Sequence, residues 1–381
     1  MNPHRSAWMT EDHEIFRDSV RKFVEAELVP HRERWNDQGH PEPEVWQKAG
    51  EIGMLCPDVP PEYGGGGGDF GFDAITYEEC TRGCISSFGN GIQSIVAHYL
   101  LRYGTEEQKQ RWLPGMARGE IITSIAMTEP GTGSDLQAVK TRAVRDGDEF
   151  VLTGAKTFIT NGWNSNLICV VCKTDPDARA KGISLLMCEV DGLPGFRRNR
   201  PLKKIGMKGQ DTCELFFDEC RIPAGNVLGG VEGQGFFQLM AQLPRERLII
   251  AVAAVAAMET VVEQTVGYTK ERKAFGQSVF DFQNSKFKLA ELATEARIGR
   301  VFVDHCIQAL NAGTLDNETA SMAKWWCTQK QFETAHECLQ LHGGYGYMME
   351  YPVAQYFADS RVTMIYGGSN EIMKELISRA L

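Results

Sequence analysis

The segment Met127-Thr128-Glu129-Pro130-Gly131-Thr132-Gly133-Ser134-Asp135 follows an apolar run and places glycines and hydroxyls side by side. Glycines let backbone N–H groups approach a phosphate or a polar heterocycle closely, and Thr128 and Ser134 add hydroxyls that donate or accept. The spacing is neither that of a Rossmann turn nor that of a P-loop, so a standard dinucleotide fold is not implied. Taken alone, the segment reads equally as a glycine-rich hairpin and as a ligand loop.

A second candidate is Glu246, in Leu243-Pro244-Arg245-Glu246-Arg247-Leu248. Proline suits a first helical turn, which predicts that Glu246 projects near the start of a helix running through Leu248, Ile249, Val252 and Val255. There the helix N-terminus would favour the carboxylate, and an apolar ligand docked beside it the neutral acid. Burial moves a carboxyl by several pH units while one helix end contributes about 1 kcal/mol, so desolvation would carry the group toward working pH and make it a base. The plainer reading is a helix-start carboxylate paired with Arg245 or Arg247. Arg272, in Lys270-Glu271-Arg272-Lys273, is likewise a solvated helix charge or, by its planar fork of donors, a phosphate ligand. Cys327, His336, Cys338 and His342 come nearest to a metal set, but their spacing matches no common zinc pattern; they read as helix packing, and no metal is expected.

The elements that must position these groups follow from bulk properties and patterning. A chain of 381 residues exceeds what one hydrophobic core usually supports, so two or three structural units are expected. A net charge of -10 argues against nucleic acid as the main partner. Eleven cysteines without framework spacing predict reduced thiols. Met1 to Thr10 carries no secretory apolar region, and the longest apolar run, Leu248 to Met258, is shorter than the roughly 20 residues of a membrane span. A cytoplasmic protein without a membrane span is the expectation.

From Glu11 to Arg118 the pattern is helical. Ile15, Val20, Phe23, Val24 and Leu28 recur at helical spacing up to Pro30, and further helices are predicted around Val45 to Met54, Phe72 to Arg82, Ile92 to Tyr103 and Glu106 to Met116. The run Gly64 to Gly68 reads as a flexible surface turn. Short β-rich runs follow at Leu167 to Cys172, Ile183 to Cys188 and Thr212 to Asp218, and in the last Cys213, Leu215 and Phe217 alternate with Glu214, Phe216 and Asp218. Helix then returns, with Leu289, Leu292, Ala296, Gly299, Val303, Cys306 and Leu310 spaced as the seam of a packed bundle. The expected fold is therefore mainly α with a β insert: an N-terminal helical domain over 1–122, a middle β-sheet or barrel domain over 123–235, and a C-terminal α-helical bundle over 236–381.

Several segments together resemble the acyl-CoA dehydrogenase family. Ala126, Thr128, Glu129, Gly133, Ser134 and Asp135 match its first signature. The likeness continues through Lys156-Thr157-Phe158-Ile159-Thr160-Asn161-Gly162, Arg272-Lys273-Ala274-Phe275-Gly276 and Gln340-Leu341-His342-Gly343-Gly344-Tyr345-Gly346-Tyr347. The ending Gly368-Ser369-Asn370-Glu371-Ile372-Met373-Lys374-Glu375-Leu376-Ile377 looks most like the long-chain branch. Gly367 departs from most of the family, which carries the catalytic glutamate there. In the long-chain and isovaleryl branches the base sits instead at the position of Glu246, and Gly367 turns the reading of Glu246 from ion pair to base. Gln355 departs as well, standing where the family usually has Lys or Arg; a lost surface or interface ion pair is expected.

The resemblance implies an FAD enzyme, with the flavin between the sheet domain and the C-terminal bundle. Contacts are implied at Met127, Thr128, Gly133, Ser134, Phe158, Ile159 and Thr160. Among these, Thr128 and Thr160 would bond the ring and Phe158 would cover one face. Arg272, Phe275 and Gln283 would serve the dinucleotide portion in a neighbouring subunit, where Gln340, Leu341, His342, Gly343 and Gly344 meet the same FAD. Ser369, Asn370 and Glu371 complete the implied cofactor set. Ser134, Phe237, Arg247, Gly367 and Gly368 would line the acyl-CoA path. The backbone N–H of Gly367 would polarise the thioester carbonyl together with a ribityl hydroxyl, which a glycine can still do.

The implied reaction is α,β-dehydrogenation of a long or branched fatty acyl-CoA to the trans-2-enoyl-CoA, with electrons passing to an electron-transfer flavoprotein and the chain in a homotetramer. An acyl-CoA oxidase or flavin monooxygenase of the same fold, or a silent acyl-CoA-binding paralogue, is the alternative. The space left at 367 predicts tolerance of long or branched chains.

Overall fold

The computed structural model describes residues 6–381; Met1 to Arg5, half of the polar stretch from Met1 to Thr10, lie outside the described residues. Thr10 opens the first helix with a reciprocal cap: its hydroxyl accepts from the His13 N–H while the His13 ring returns a bond to the Thr10 backbone. The N-terminal helices are α1 (Glu11–Phe23), α2 (Arg32–Gln38), α3 (Glu44–Glu51), α4 (Phe70–Arg82), α5 (Asn90–Tyr103) and α6 (Glu106–Ala117). Pro30 does not end the first helical run. It lies in a single 3₁₀ turn between the wider-wound Val24–Leu28 and α2, so the chain changes winding there and continues.

The glycine run Gly64 to Gly68 is on the surface but is closely packed. A β-carbon on Gly65 would lie 2.1 Å from the Val59 carbonyl oxygen, and Gly67 and Gly68 donate to the carbonyls of Val59 and Pro57. These glycines are required by a backbone that doubles back on itself, rather than by a need for mobility.

The sheet consists of β1 (Thr123–Ala126), β2 (Arg142–Asp146), β3 (Glu149–Thr160), β4 (Leu167–Lys173), β5 (Ile183–Glu189), β6 (Phe196–Arg198) and β7 (Thr212–Pro223). Its order is β1-β4-β2-β3-β7-β6 with β5 on β4, and it curls around its own core of Phe150, Leu152, Ile168, Val170, Leu186, Leu215 and Ile222. The alternation read at 213–218 holds: Cys213, Leu215 and Phe217 are buried while Asp218 is exposed.

The C-terminal part contains α7 (Gly235–Glu271), the hairpin β8 (Lys273–Ala274) and β9 (Gln277–Ser278), α8 (Gln283–Asn311), α9 (Asn317–His342), α10 (Pro352–Thr363) and α11 (Asn370–Ser378). The seam Leu289, Leu292, Ala296, Gly299, Val303 and Cys306 of α8 is buried. Helix α7 is long and apolar enough to cross a membrane by length and hydropathy, but 67% of its 18-residue apolar window is buried within the fold. Ala251, Val252 and Val255 share one core with residues of α4, α5 and the strands.

Pro244 is the clearest departure from the sequence expectation. It lies inside α7, and Glu246 is three turns from the helix start rather than in its first turn. Gln238 and Leu239, in the turns before Pro244, are buried. Packing there outweighs the one backbone hydrogen bond a proline forfeits. All eleven cysteines are free and buried, and among the described residues no group of His, Cys, Asp or Glu could hold a metal.

Candidate active site

Glu246 is 7% exposed, and its Oε1 accepts a 2.8 Å hydrogen bond from the Tyr99 hydroxyl of α5. Burial raises the carboxyl to about 7, against the lowering effects of the Tyr99 bond and the nearby Arg247. The helix N-terminus has no part in this, because its field is confined to the first turn and Glu246 lies far beyond it. Neither arginine flanking Glu246 pairs with it. Arg245 turns away to Asp58 at 2.7 Å and Asp73 at 2.6 Å, and Arg247 bonds Asn317 and Ser321 of α9. The carboxyl is thus buried without an ion pair, and the ion-pair reading fails because Arg245 faces the α4–α5 side of α7.

Gly367 meets the same face of α7. It has φ +62°, and a β-carbon there would lie 2.4 Å from Cδ1 of Ile250, one turn past Glu246. The loop it belongs to is held from α9: the Lys324 ammonium donates to the Gly368 carbonyl at 2.7 Å and to Oδ1 of Asn370 at 3.1 Å. Burial, and then Arg247 beside it, bring Lys324 down to about 8. Ser369 spends its hydroxyl capping α11, and Asn370 is buried with Nδ2 unpartnered. Of this stretch only Glu371 has an exposed side chain. Arg247, which the resemblance set on the acyl-CoA path, is 2% exposed and held between α7 and α9 by Asn317 and Ser321, on the same side of α7 as the 367–370 loop.

The 127–135 loop is built on a buried ion pair. Glu129 accepts from Lys156 at 2.9 Å and from the backbone N–H groups of Lys140 and Thr141, while Lys156 also donates to the Met127 carbonyl. Burial opposes ionisation of Glu129, yet Lys156 and these donors hold the carboxyl below its usual range. Thr128 is half-buried, and Gly133 and Ser134 are exposed. No atom lies within 4 Å of a β-carbon placed on Gly131 or Gly133.

In β3 the register against β7 slips between Lys156 and Ile159, and at this bulge Phe158 takes φ +59° and is 66% exposed. Ile159 points the other way, into the sheet core, so only its backbone is available to a ligand. Thr160 follows, half-buried, and Asn161 ties the strand end to the start of α5 through the Gly89 carbonyl and to β1 through the Thr123 carbonyl.

A separate cleft of 520 Å³ opens beside α7 and α9, lined by Tyr268, Arg272, Gln340, Leu341, His342, Gly343, Gly344 and neighbours. None of its lining residues is acidic, and nothing stands within 4 Å of a β-carbon on Gly343 or Gly344. An arginine with open glycine backbone and no opposing carboxylate suits a pyrophosphate. The His342 ring stacks on Tyr268 at 4.2 Å, and its Nδ1 bonds the Cys338 carbonyl, which makes it a packing residue. Phe275, at the tip of the β8–β9 hairpin, is 97% exposed, and Gln283 stands exposed at the start of α8.

The candidate residues thus form three surfaces. Glu246, Arg247, Ile250 and the 367–370 loop make one, the Thr128, Phe158 and Thr160 side of the sheet a second, and the Arg272 to Gly344 cleft a third. Thr128 and Phe158 do not line that cleft. Phe237 is exposed in the first turn of α7, nine residues before Glu246. Gln355 is buried, not superficial: its Nε2 donates to the Cys84 carbonyl at 3.2 Å and to Oδ2 of Asp359 at 3.4 Å, so the carboxylate that a Lys or Arg here would pair with lies inside the fold.

Sequence reasoning missed Tyr99, Ile250 and Lys324. Tyr99 sits in an apolar helix where an aromatic reads as core. Only Lys324, a charge in the buried stripe of α9, left a signal. Lys156 belongs to a segment that carries the family resemblance, but nothing in the sequence marked Glu129 as its partner.

Three family profiles cover nearly the whole chain: acyl-CoA dehydrogenase N-terminal domain over residues 10–120, middle domain over 124–220 and C-terminal domain over 233–381. The mitochondrial long-chain specific acyl-CoA dehydrogenase of Mus musculus is 49% identical over 373 residues, 97% of this chain and 86% of that protein. The crystal structure of an acyl-CoA dehydrogenase from Geobacillus kaustophilus superposes with a TM-score of 0.96 at 48% identity, covering 99% of each chain. A glutaryl-CoA dehydrogenase from Mycobacterium smegmatis in complex with FADH2 superposes at 0.91 and 29% identity, covering 98% of this chain and 95% of that one.

Proposed function

The chain belongs to the acyl-CoA dehydrogenase family of FAD-dependent oxidoreductases, and on that premise we propose that it dehydrogenates long or branched fatty acyl-CoA at the α,β bond with Glu246 as the base. The observation that carries this reading is the pairing of Glu246 with Gly367. The position where most relatives hold the glutamate has no side chain, and one turn of α7 beside it carries a buried carboxyl raised to about 7.

The cofactor's chemistry, when bound, is acceptance of the β-hydrogen as hydride. The residues of the chain do the rest. Glu246 takes the α-proton, and a base with its pKa near working pH is efficient in that role. The backbone N–H of Gly367 donates to the thioester carbonyl, which acidifies the α-carbon as the proton leaves. Thr128, Thr160 and the exposed Phe158 face hold the flavin ring, while Arg272 and the open backbone of Gly343 and Gly344 take the pyrophosphate. Because these sets occupy separate surfaces of one chain, the reading includes a second copy in a homotetramer that brings the Arg272 side to the Thr128 side. An electron-transfer flavoprotein is the proposed acceptor of the electrons.

Anaerobic titration of the purified yellow protein with acyl-CoAs of graded length and branching tests cofactor, reaction and range at once. Long and branched thioesters are expected to bleach the flavin, and a strict preference for short straight chains would remove the substrate assignment. Glu246→Gln is expected to bind flavin and acyl-CoA yet bleach about 100-fold or more slowly, the usual contribution of a positioned base. Bleaching at the normal rate would end the assignment of Glu246.

A further inference from the structure

The hydrogen bond between Tyr99 and Glu246 connects two elements far apart in the chain at the point where the proton must move. Tyr99 is fully buried, and its hydroxyl donates to Oε1 at 2.8 Å. The tyrosine bonds Oε1 and leaves Oε2 to other partners. A carboxyl on a long side chain inside a helix has three torsions to fix. A donor anchored on a different helix fixes them better than anything on its own helix could.

Tyr99 is itself firmly seated. Its ring lies 6.3 Å from that of Tyr103, and the neighbouring His98 bonds Asp58 at 3.0 Å, the same Asp58 that holds Arg245. One buried network therefore fixes both the residue before Glu246 and the residue before Tyr99. The base and its donor cannot drift apart without breaking it.

We propose that Tyr99 is a positioning residue for this dehydrogenation, clamping Oε1 of Glu246 so that Oε2 alone is presented to the substrate proton. The inference rests on the reading of Glu246 as base. The groups facing that carboxyl are few: Tyr99 from α5, Arg247 on α7 itself, and the buried Cys169 thiol of β4, whose own proton the carboxylate helps retain. Burial drives Glu246 toward the neutral acid, and Tyr99 is the first of the groups that oppose it. A donor to a carboxylate stabilises the charged form, so the tyrosine keeps the base ionised at lower pH than burial alone would allow.

The test uses the holoenzyme carrying Tyr99→Phe, which keeps the ring and its packing. Two quantities are read. One is the pH profile of single-turnover flavin bleaching; the other is titration of the Glu246 carboxyl by difference infrared spectroscopy against Glu246→Gln, without substrate. The phenylalanine variant is expected to move the acid limb and the carboxyl titration upward together by about one pH unit, tenfold in proton affinity. Its rate on the alkaline plateau should also be lower, from lost orientation. Site-specific 3-fluorotyrosine at 99, a stronger donor that preserves the fold, should move both readings downward, and it decides the matter if the phenylalanine variant does not fold. Unmoved limb and titration in the folded variants would overturn the role of Tyr99 while leaving Glu246 as base. Normal bleaching by Glu246→Gln would instead overturn the reading beneath it, and the positioning role with it.

Discussion

A β-carbon on Gly367 would come within 2.4 Å of Cδ1 of Ile250, the side chain one helical turn beyond Glu246. The end of the isoleucine side chain occupies part of the space a side chain at 367 would need, and it would have to turn aside to admit one. With Glu246 as the proposed base, the missing side chain at 367 therefore leaves less than a slot of full glutamate size, because Ile250 reaches into it. What room exists is set by Ile250, a half-buried residue that can be trimmed.

Gly367→Glu in the otherwise unchanged protein should accordingly be destabilising, by about 1 to 3 kcal/mol, from overpacking and from the positive φ at that position. Ile250→Ala in the same chain should recover part of the loss. Thermal unfolding of the four proteins of this double-mutant cycle measures the coupling. Strictly additive effects would show that the two side chains do not compete for one space.

Glu246 should have opposite effects on stability and on activity as pH changes. Its folded-state pKa is raised, from 4.5 to about 7, so the stability it contributes is fully present below pH 4.5 and is lost as pH rises through about 7. A tenfold change in proton affinity is worth about 1.4 kcal/mol, which puts the loss at up to about 3 kcal/mol. Activity runs the other way, since only the carboxylate accepts a proton. Glu246→Gln should unfold at a higher temperature than the parent at pH 8 and at a similar one at pH 4.5. A parent of equal stability at pH 8 would mean that the carboxyl is solvated.

Lys156→Met should be among the costliest single changes in the sheet. It strips Glu129 of its ion-pair partner in a buried place, a loss of about 3 to 5 kcal/mol, and it unpins the Met127 carbonyl at the head of the ligand loop. Flavin content of the purified variant should fall along with its unfolding temperature. Glu129→Gln added to Lys156→Met should restore part of the stability, because the uncompensated charge is then gone. No recovery in the double variant would count against the ion pair as the cause.

Local order was legible where periodicity is strong. The α8 seam, the alternation of 213–218 and the helix, sheet, helix sequence were all readable, because burial repeats at 3.6 or 2 residues whatever the partner. Proline and glycine misled. Pro244 looked like a helix start and Gly64 to Gly68 like a loose turn, since local propensity is about 1 to 3 kcal/mol per residue and packing of the surrounding segment exceeds it. The arginines misled in a similar way: Arg245 and Arg247 stand next to Glu246 in the chain yet face other helices, as consecutive positions on a helix point about 100° apart.

By itself the sequence determined the family, the cofactor class and the carboxyl to suspect, through residue types at fixed spacing. Only the tertiary structure decided what surroundings that carboxyl has. Burial without an ion pair, a donor from Tyr99 147 positions away along the chain, and Ile250 against Gly367 are all contacts between elements distant in sequence. Desolvation and hydrogen bonding depend on which atoms surround the group in space, and the linear order of residues does not contain that information until the chain has packed.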